Sequence, residues 1–160
     1  MLERRLRTRS EPASKQKLRL WIRLLRASRA IEGELRERLR IEFGVTLPRF
    51  DVMAALERKG AGMTMTELSR FLMVSNGNVT GIIDRLVAEG MVVRCAHEGD
   101  RRATFVRLTP KGAAQFAAMA RAHEGWVCEI LAGFSCAETE SLIALLGAAG
   151  LRLRGGARPA

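Results

Sequence analysis

Two stretches of this chain carry side chains suited to reading or gripping a polyanion. One opens with Ser75, Asn76, Gly77, Asn78, Thr80 and Gly81; the other, CAHEGDRRATF, crowds His97, Asp100, Arg101 and Arg102 together. Asparagine can form paired hydrogen bonds with adenine, Ser and Thr can bond bases or phosphates, and glycine permits close backbone approach. A guanidinium on a turn can enter the narrow, negatively charged minor groove of DNA. Two adjacent arginines on a mobile tip would point anywhere. Asp100 can pair with one of them, or with backbone N–H groups, and hold the turn so that Arg101 or Arg102 projects. An exposed ion pair contributes only about 0–1 kcal/mol, so its value there is orientation. Arg85 joins these residues as a candidate nucleic-acid contact.

Positioning such groups requires a rigid frame, and the spacing predicts one. MVVR and ATFVRLT read as strands, which makes the arginine-bearing segment a hairpin tip. SNGNVTGIIDRLVAEG reads as a helix with Ser75 as N-cap, a core face of Val79, Ile82, Ile83, Leu86 and Val87, and Gly90 past its end. Before it, Thr64 and Glu67 have capping-box spacing ahead of Leu68, Phe71 and Leu72. Pro48 suits the first turn of a helix closing at Gly60 and Gly62. Upstream, residues 15–43 form a helix close to 40 Å long, with an apolar edge of Leu24, Ser28, Ile31, Leu35 and Leu39. Thr109 and Pro110 start another helix, and Ser135 with Glu138 starts a last one. Two short helices followed by a hairpin form a winged helix-turn-helix, so the expected fold class is mainly α with a small β-hairpin wing.

The domain reading is a mobile basic arm at 1–14, one domain at 15–150, and a frayed tail at 151–160. The net charge of +10 over 160 residues suits a polyanionic partner. Residues 1–40 hold 13 Lys/Arg against 5 Asp/Glu, a net of +8, so the excess is concentrated at the N-terminal end. Three cysteines without a CxxC pair argue against a disulfide framework and for a reducing compartment. No segment approaches the roughly 20 apolar residues of a membrane span. The opening residues lack a secretory signal's apolar centre. A cytoplasmic protein with no membrane partner is expected. No Ser/His/Asp grouping, phosphate loop or carboxylate pair appears, so the chain is read as no enzyme and without a cofactor.

The run TMTELSRFLMVSNGNVTGIIDRLVAEGMVVRCAHEGDRRATFVRLTPKG resembles the MarR family of bacterial transcriptional regulators, most specifically in VTGIIDRLVAEGMVVR, the DRR wing and LTPKG. LPRFDVMAAL fits the family's second helix. The resemblance implies a triangular α/β homodimer on a palindromic operator. Residues 15–45 and 110–150 would supply dimerisation helices and 46–109 the winged helix. It gives the helix from Ser75 the recognition role and Arg102 the minor-groove role, with Arg101 as neighbouring candidate. Gly81 departs from the family, many members of which carry Arg or another large polar residue there.

The resemblance also implies a repressor released by a small ligand or by oxidation. The thiol-based branch places its reactive Cys in the first helix, with tyrosines nearby; this chain has no Cys before Cys95 and no Tyr. Redox regulation stands as an alternative, with Cys128 and Cys136 read as packing residues. His97 and His123 share no metal-ligand spacing with a Cys. An anionic effector is preferred, either an aromatic acid or an aromatic acyl-CoA thioester. Arg19, Arg23, Arg26 and Arg29, with Trp21, could hold its carboxylate or phosphates and an aromatic ring. The pocket expected behind this stripe is Ser28, Arg49, Phe50 and Met53. An exposed arginine face that steers DNA or aids solubility fits the same residues equally well. A nonspecific architectural DNA-binding protein is the competing class.

Overall fold

Helix boundaries follow the capping chemistry of the sequence. The computed structural model describes residues 12–97 and 100–155, with the backbone alone for residues 96, 97, 100–104 and 151–155. Helix α1, Ala13–Phe43, begins directly after Pro12. That is two residues earlier than spacing suggested, because proline has no amide to satisfy and already holds a fixed φ. It closes on Gly44 at φ 63°, whose amide donates to the Arg40 carbonyl. Helix α2, Leu47–Lys59, carries Pro48 in its first turn and ends at Gly60. Helix α3, Met65–Leu72, has a complete capping box. The Glu67 carboxylate accepts the Thr64 amide at 2.8 Å, and the Thr64 hydroxyl oxygen accepts the Glu67 amide at 3.1 Å. Helix α4, Asn76–Ala88, is capped by Ser75.

The wing has one strand more than expected. Strand β1, Met63–Thr64, joins β2, Val92–His97, and β3, Asp100–Leu108, in an antiparallel sheet of order β1-β3-β2. Two residues carry no readable periodicity, which is why β1 escaped the sequence. Gly62 permits the pairing: at φ 92°, a Cβ there would lie 2.9 Å from the Val106 carbonyl. Glu98, Gly99, the side chains of His97, Asp100, Arg101 and Arg102, and most of the expected arm lie outside the described residues.

The chain divides into two compact units, residues 1–119 and 120–160. In the first, Leu39, Val52, Met53, Leu56, Leu68, Val79, Ile83, Leu86 and Val106 are buried. Of the expected apolar edge of α1 only Leu35 and Leu39 are buried; Leu24 and Ser28 are exposed and Ile31 half-buried. Leu18, Leu20, Trp21 and Ile22 are exposed too. Helix α5, Pro110–Ile130, runs on into the second unit, where Ser135 and Glu138 cap α6, Cys136–Gly155, reciprocally at 2.9 and 3.3 Å. Helix α6 runs into the tail expected to fray from 151; LRLR has high helix propensity and no breaker before Gly155. Within this unit Phe134, Leu142, Ile143, Leu145 and Leu146 are exposed.

The LTPKG segment ties the end of α4 to the start of α5. The Thr109 hydroxyl donates to the Gly90 carbonyl at 2.7 Å and accepts the Gly112 amide at 3.0 Å. Lys111 Nζ donates to the Glu89 carbonyl at 2.9 Å. Any Cβ on Gly112 would collide with the Met91 backbone carbonyl. Gly112→Ala is therefore expected to lower stability by about 1–3 kcal/mol, the usual cost of overpacking. Gly125→Ala, where the added Cβ meets nothing within 4 Å, should be neutral or gain up to about 1 kcal/mol. Urea unfolding of both variants checks the contrast.

Candidate nucleic-acid interface

Burial of Val79, Ile83 and Leu86 fixes the rotation of α4, and the rest of its N-terminal half is left facing solvent. Ser75, Asn76, Gly77, Asn78, Thr80 and Gly81 are all exposed there, as sequence spacing predicted. Ile82 and Val87, expected in the core, are only half-buried at its margin. The Ser75 hydroxyl accepts the Asn78 amide at 3.4 Å. The Thr80 hydroxyl donates to the Asn76 carbonyl at 2.9 Å, so its oxygen remains available only as an acceptor. Among the described residues, the side-chain amides of Asn76 and Asn78 make no hydrogen bond to protein.

The flanks of α4 are braced by ion pairs that sequence reasoning did not find, because each joins residues from different elements. Arg94 on β2 bonds Asp84 at 2.5 Å, and Arg49 on α2 pairs with Glu89. Burial, and then the nearby Arg85 charge, make Arg49 easier to deprotonate than a free guanidinium. The Arg49 Nε is buried without a hydrogen-bond partner.

Two cavities lie between α2 and α4. The larger, about 460 Å³, is lined by Thr46, Pro48, Asp51, Leu72, Val74, Asn78 and Ile82. The smaller, about 260 Å³, adds Arg49, Gly77, Gly81 and Arg85 to Thr46, Asn78 and Ile82. Of the residues expected to hold an effector, only Arg49 lines either cavity. Phe50 is core instead, its ring 5.5 Å from that of Phe116, and Met53 is buried; both face inward with the α2 core residues Val52 and Leu56. Arg19, Trp21, Arg23, Arg26, Ser28 and Arg29 are exposed on α1 and line neither cavity. Cys128 and Cys136, read as packing residues, are exposed in the isolated chain. Among the described residues no group of three His, Cys, Asp or Glu could hold a metal ion, and no helix is long and apolar enough to cross a membrane.

A capped α3, a recognition-type α4 with free amides and an antiparallel wing are the parts of a winged helix-turn-helix, and known proteins share both their sequence and their arrangement. Residues 43–103 match the model of the MarR family. The transcriptional regulator PecS of Dickeya dadantii is 33% identical over 108 residues, 66% of this chain and 65% of PecS. A MarR family transcriptional regulator from Silicibacter pomeroyi is 31% identical, with a TM-score of 0.76 over 90% of this chain and 99% of that one. The chain belongs to the MarR family. It is a DNA-binding transcriptional regulator and not an enzyme. A mutant MarR from E. coli complexed with operator DNA superposes with a TM-score of 0.73 at 26% identity, over 87% of this chain and 99% of that one.

Asp51 was missed because nothing local marks it. Burial, reinforced by the Glu32 charge, raises its pKa from the ordinary aspartate value. A raised folded-state pKa means the folded chain binds the proton more tightly than the unfolded chain, so ionised Asp51 destabilises the fold at neutral pH. Asp51→Asn should raise the Tm at pH 7. The advantage should shrink as pH falls through the folded-state pKa and vanish below the unfolded one, as thermal melts across that range would show.

Proposed function

We propose that this MarR family member is a homodimeric repressor that binds a palindromic operator and leaves it when a small aromatic acid occupies the α2–α4 cavities. The observation that carries the DNA half is the pair of uncommitted amides, Asn76 and Asn78, at the exposed start of a rotationally fixed helix. The N-terminal residues of such a helix meet base edges in the major groove. Homodimerisation is supported by large exposed apolar side chains on α1 and, separately, on α6, which a second copy would cover. Two identical recognition helices read half-sites about one helical turn apart. Arg85 and the wing residues His97, Arg101 and Arg102, organised by Asp100, are the proposed flanking contacts.

For the effector, cavity chemistry favours the free acid over the acyl-CoA thioester. In the smaller cavity Arg49 and Arg85 offer guanidinium groups to a carboxylate, and in the larger Pro48, Leu72, Val74 and Ile82 offer an apolar wall to a ring. Asp51 repels an anion from the far end and so sets its direction. A volume of about 460 Å³ takes a small aromatic molecule but no CoA moiety, and the α1 arginines do not border it. Asn78 lines both cavities while standing among the base-reading candidates, so a bound ligand and a bound operator compete for one side chain.

Gel shifts against random duplex and a palindrome from the chain's own promoter test the reading. A specific regulator prefers its site by about 10³-fold or more, whereas an architectural protein binds both alike. Asn78→Ala should relax base preference, and Arg102→Ala should weaken operator binding while leaving the Tm unchanged. Benzoate-type acids should release the wild-type complex but not an Arg49→Gln complex. Release by oxidant instead would restore the thiol-based alternative.

A further inference from the structure

The turn joining α3 to α4 contains a residue whose placement costs the free protein in two ways. Met73 adopts φ 55°, ψ 38°, the only left-handed conformation of a non-glycine residue among those described. Glycine takes this conformation without penalty, whereas an L side chain crowds its own carbonyl. The Met73 side chain is also 91% exposed, the most exposed large apolar side chain described. Its neighbours are all accounted for. Phe71 has the Arg58 guanidinium 6.0 Å from its ring centroid, and Leu72 and Val74 line the larger cavity. Met73 stands between Leu72 and Val74 and lines neither cavity. Among the described residues, nothing covers it.

Its address suggests what does. Met73 lies two residues before the N-cap Ser75, within about 7 Å of the end of α4 that enters the major groove. The one apolar group in that groove is the thymine 5-methyl. Methionine, unbranched and polarisable, adapts to such a surface better than a stiff side chain. We propose that Met73 is a specificity-determining residue that reads a thymine methyl beside the N-terminus of α4. This rests on the DNA-binding reading above and deepens it. The left-handed turn is held by the C-cap of α3, where the Met73 amide donates to the Arg70 carbonyl and that of Val74 to the Ser69 carbonyl, whereas the exposure is tolerated because the side chain is buried only against DNA.

The experiment uses the full chain and the duplex it enriches from a randomised library, with each thymine replaced in turn by deoxyuridine, which lacks only the methyl. Wild type should lose affinity at one position per half-site by about fourfold, the value of burying one such carbon, and by about fifteenfold when both half-sites are changed. Met73→Gly should bind thymine and uracil duplexes equally at that position, and its Tm should rise because the strain is relieved. A merely structural Met73 would lower stability when removed and leave uracil sensitivity intact. If wild type enriches a site but no uracil substitution matters, or if Met73→Gly keeps wild-type sensitivity, Met73 is no reader and the regulator reading stands. If wild type enriches no site at all, both fall together.

Discussion

A helix that reads DNA must be fixed in rotation as well as in position, and here the burial of Val79, Ile83 and Leu86 does this. A helix free to roll by one residue, about 100°, would replace Asn76 and Thr80 with apolar side chains at the groove. Each of the three buried side chains is worth about 1.5–3 kcal/mol on transfer from water, far more than any hydrogen bond α4 makes with its surroundings. Rotation being set, two further contacts set the axis. At one end Ser75 closes the first turn; at the other Gly90, Thr109 and Gly112 clasp the end of α4 to the start of α5. The ion pairs Arg49–Glu89 and Asp84–Arg94 then brace α4 against α2 on one side and the wing on the other. The exposed Asp84–Arg94 pair adds little stability, and Arg49 in the other is mostly buried, but both link any shift of α2 or β2 to α4.

What the sequence made legible was whatever is encoded within about one turn of helix. Thr64 and Glu67, Ser135 and Glu138, Ser75 as N-cap and Gly60 as terminator all describe bonds between residues three or four apart. The core face of α4 was readable for the same reason, because its period repeats along one element. Contacts between elements were not. Phe50 and Met53 have the spacing of a pocket wall as well as that of a core, and only the packing of α2 against the sheet and α5 decides that they are core. Asp51 sits between two buried residues, in a cavity whose other walls come from α3 and α4. The α1 arginines formed a convincing stripe on paper. Its charge is real, but the cavities lie elsewhere.

Those arginines still matter to the electrostatics. The 13 basic side chains of residues 1–40 are partly offset locally, since Glu34 pairs with Arg38 and Glu37 with Arg40 on α1, and the five acids there leave a net of +8. Charge that is exposed and unpaired attracts a polyanion over roughly a Debye length, about 8–10 Å at physiological salt, and loses its reach as salt rises. Such a field raises encounter rates without choosing a sequence. On the proposed reading, selection is left to the few groups at the start of α4.

That division of labour limits what an effector can do. A ligand shifts an equilibrium only by its differential affinity for the two states, and turning a site from 99% bound to 1% bound requires about 5.5 kcal/mol. Two subunits with one α2–α4 site each would need roughly half of that apiece, within the 1–3 kcal/mol range of ordinary coupling energies. A ligand acting on the diffuse N-terminal charge could never reach it, because steering is spread over many arginines. On the proposed reading, one acting at Asn78 and Arg85 can, because those side chains line the α2–α4 cavities and are also proposed DNA contacts. On the proposed reading, the same closeness explains the tolerance for an unpaired Arg49 Nε. A donor left unsatisfied in the free protein is one a carboxylate can satisfy, and such a gain is the differential affinity a switch requires.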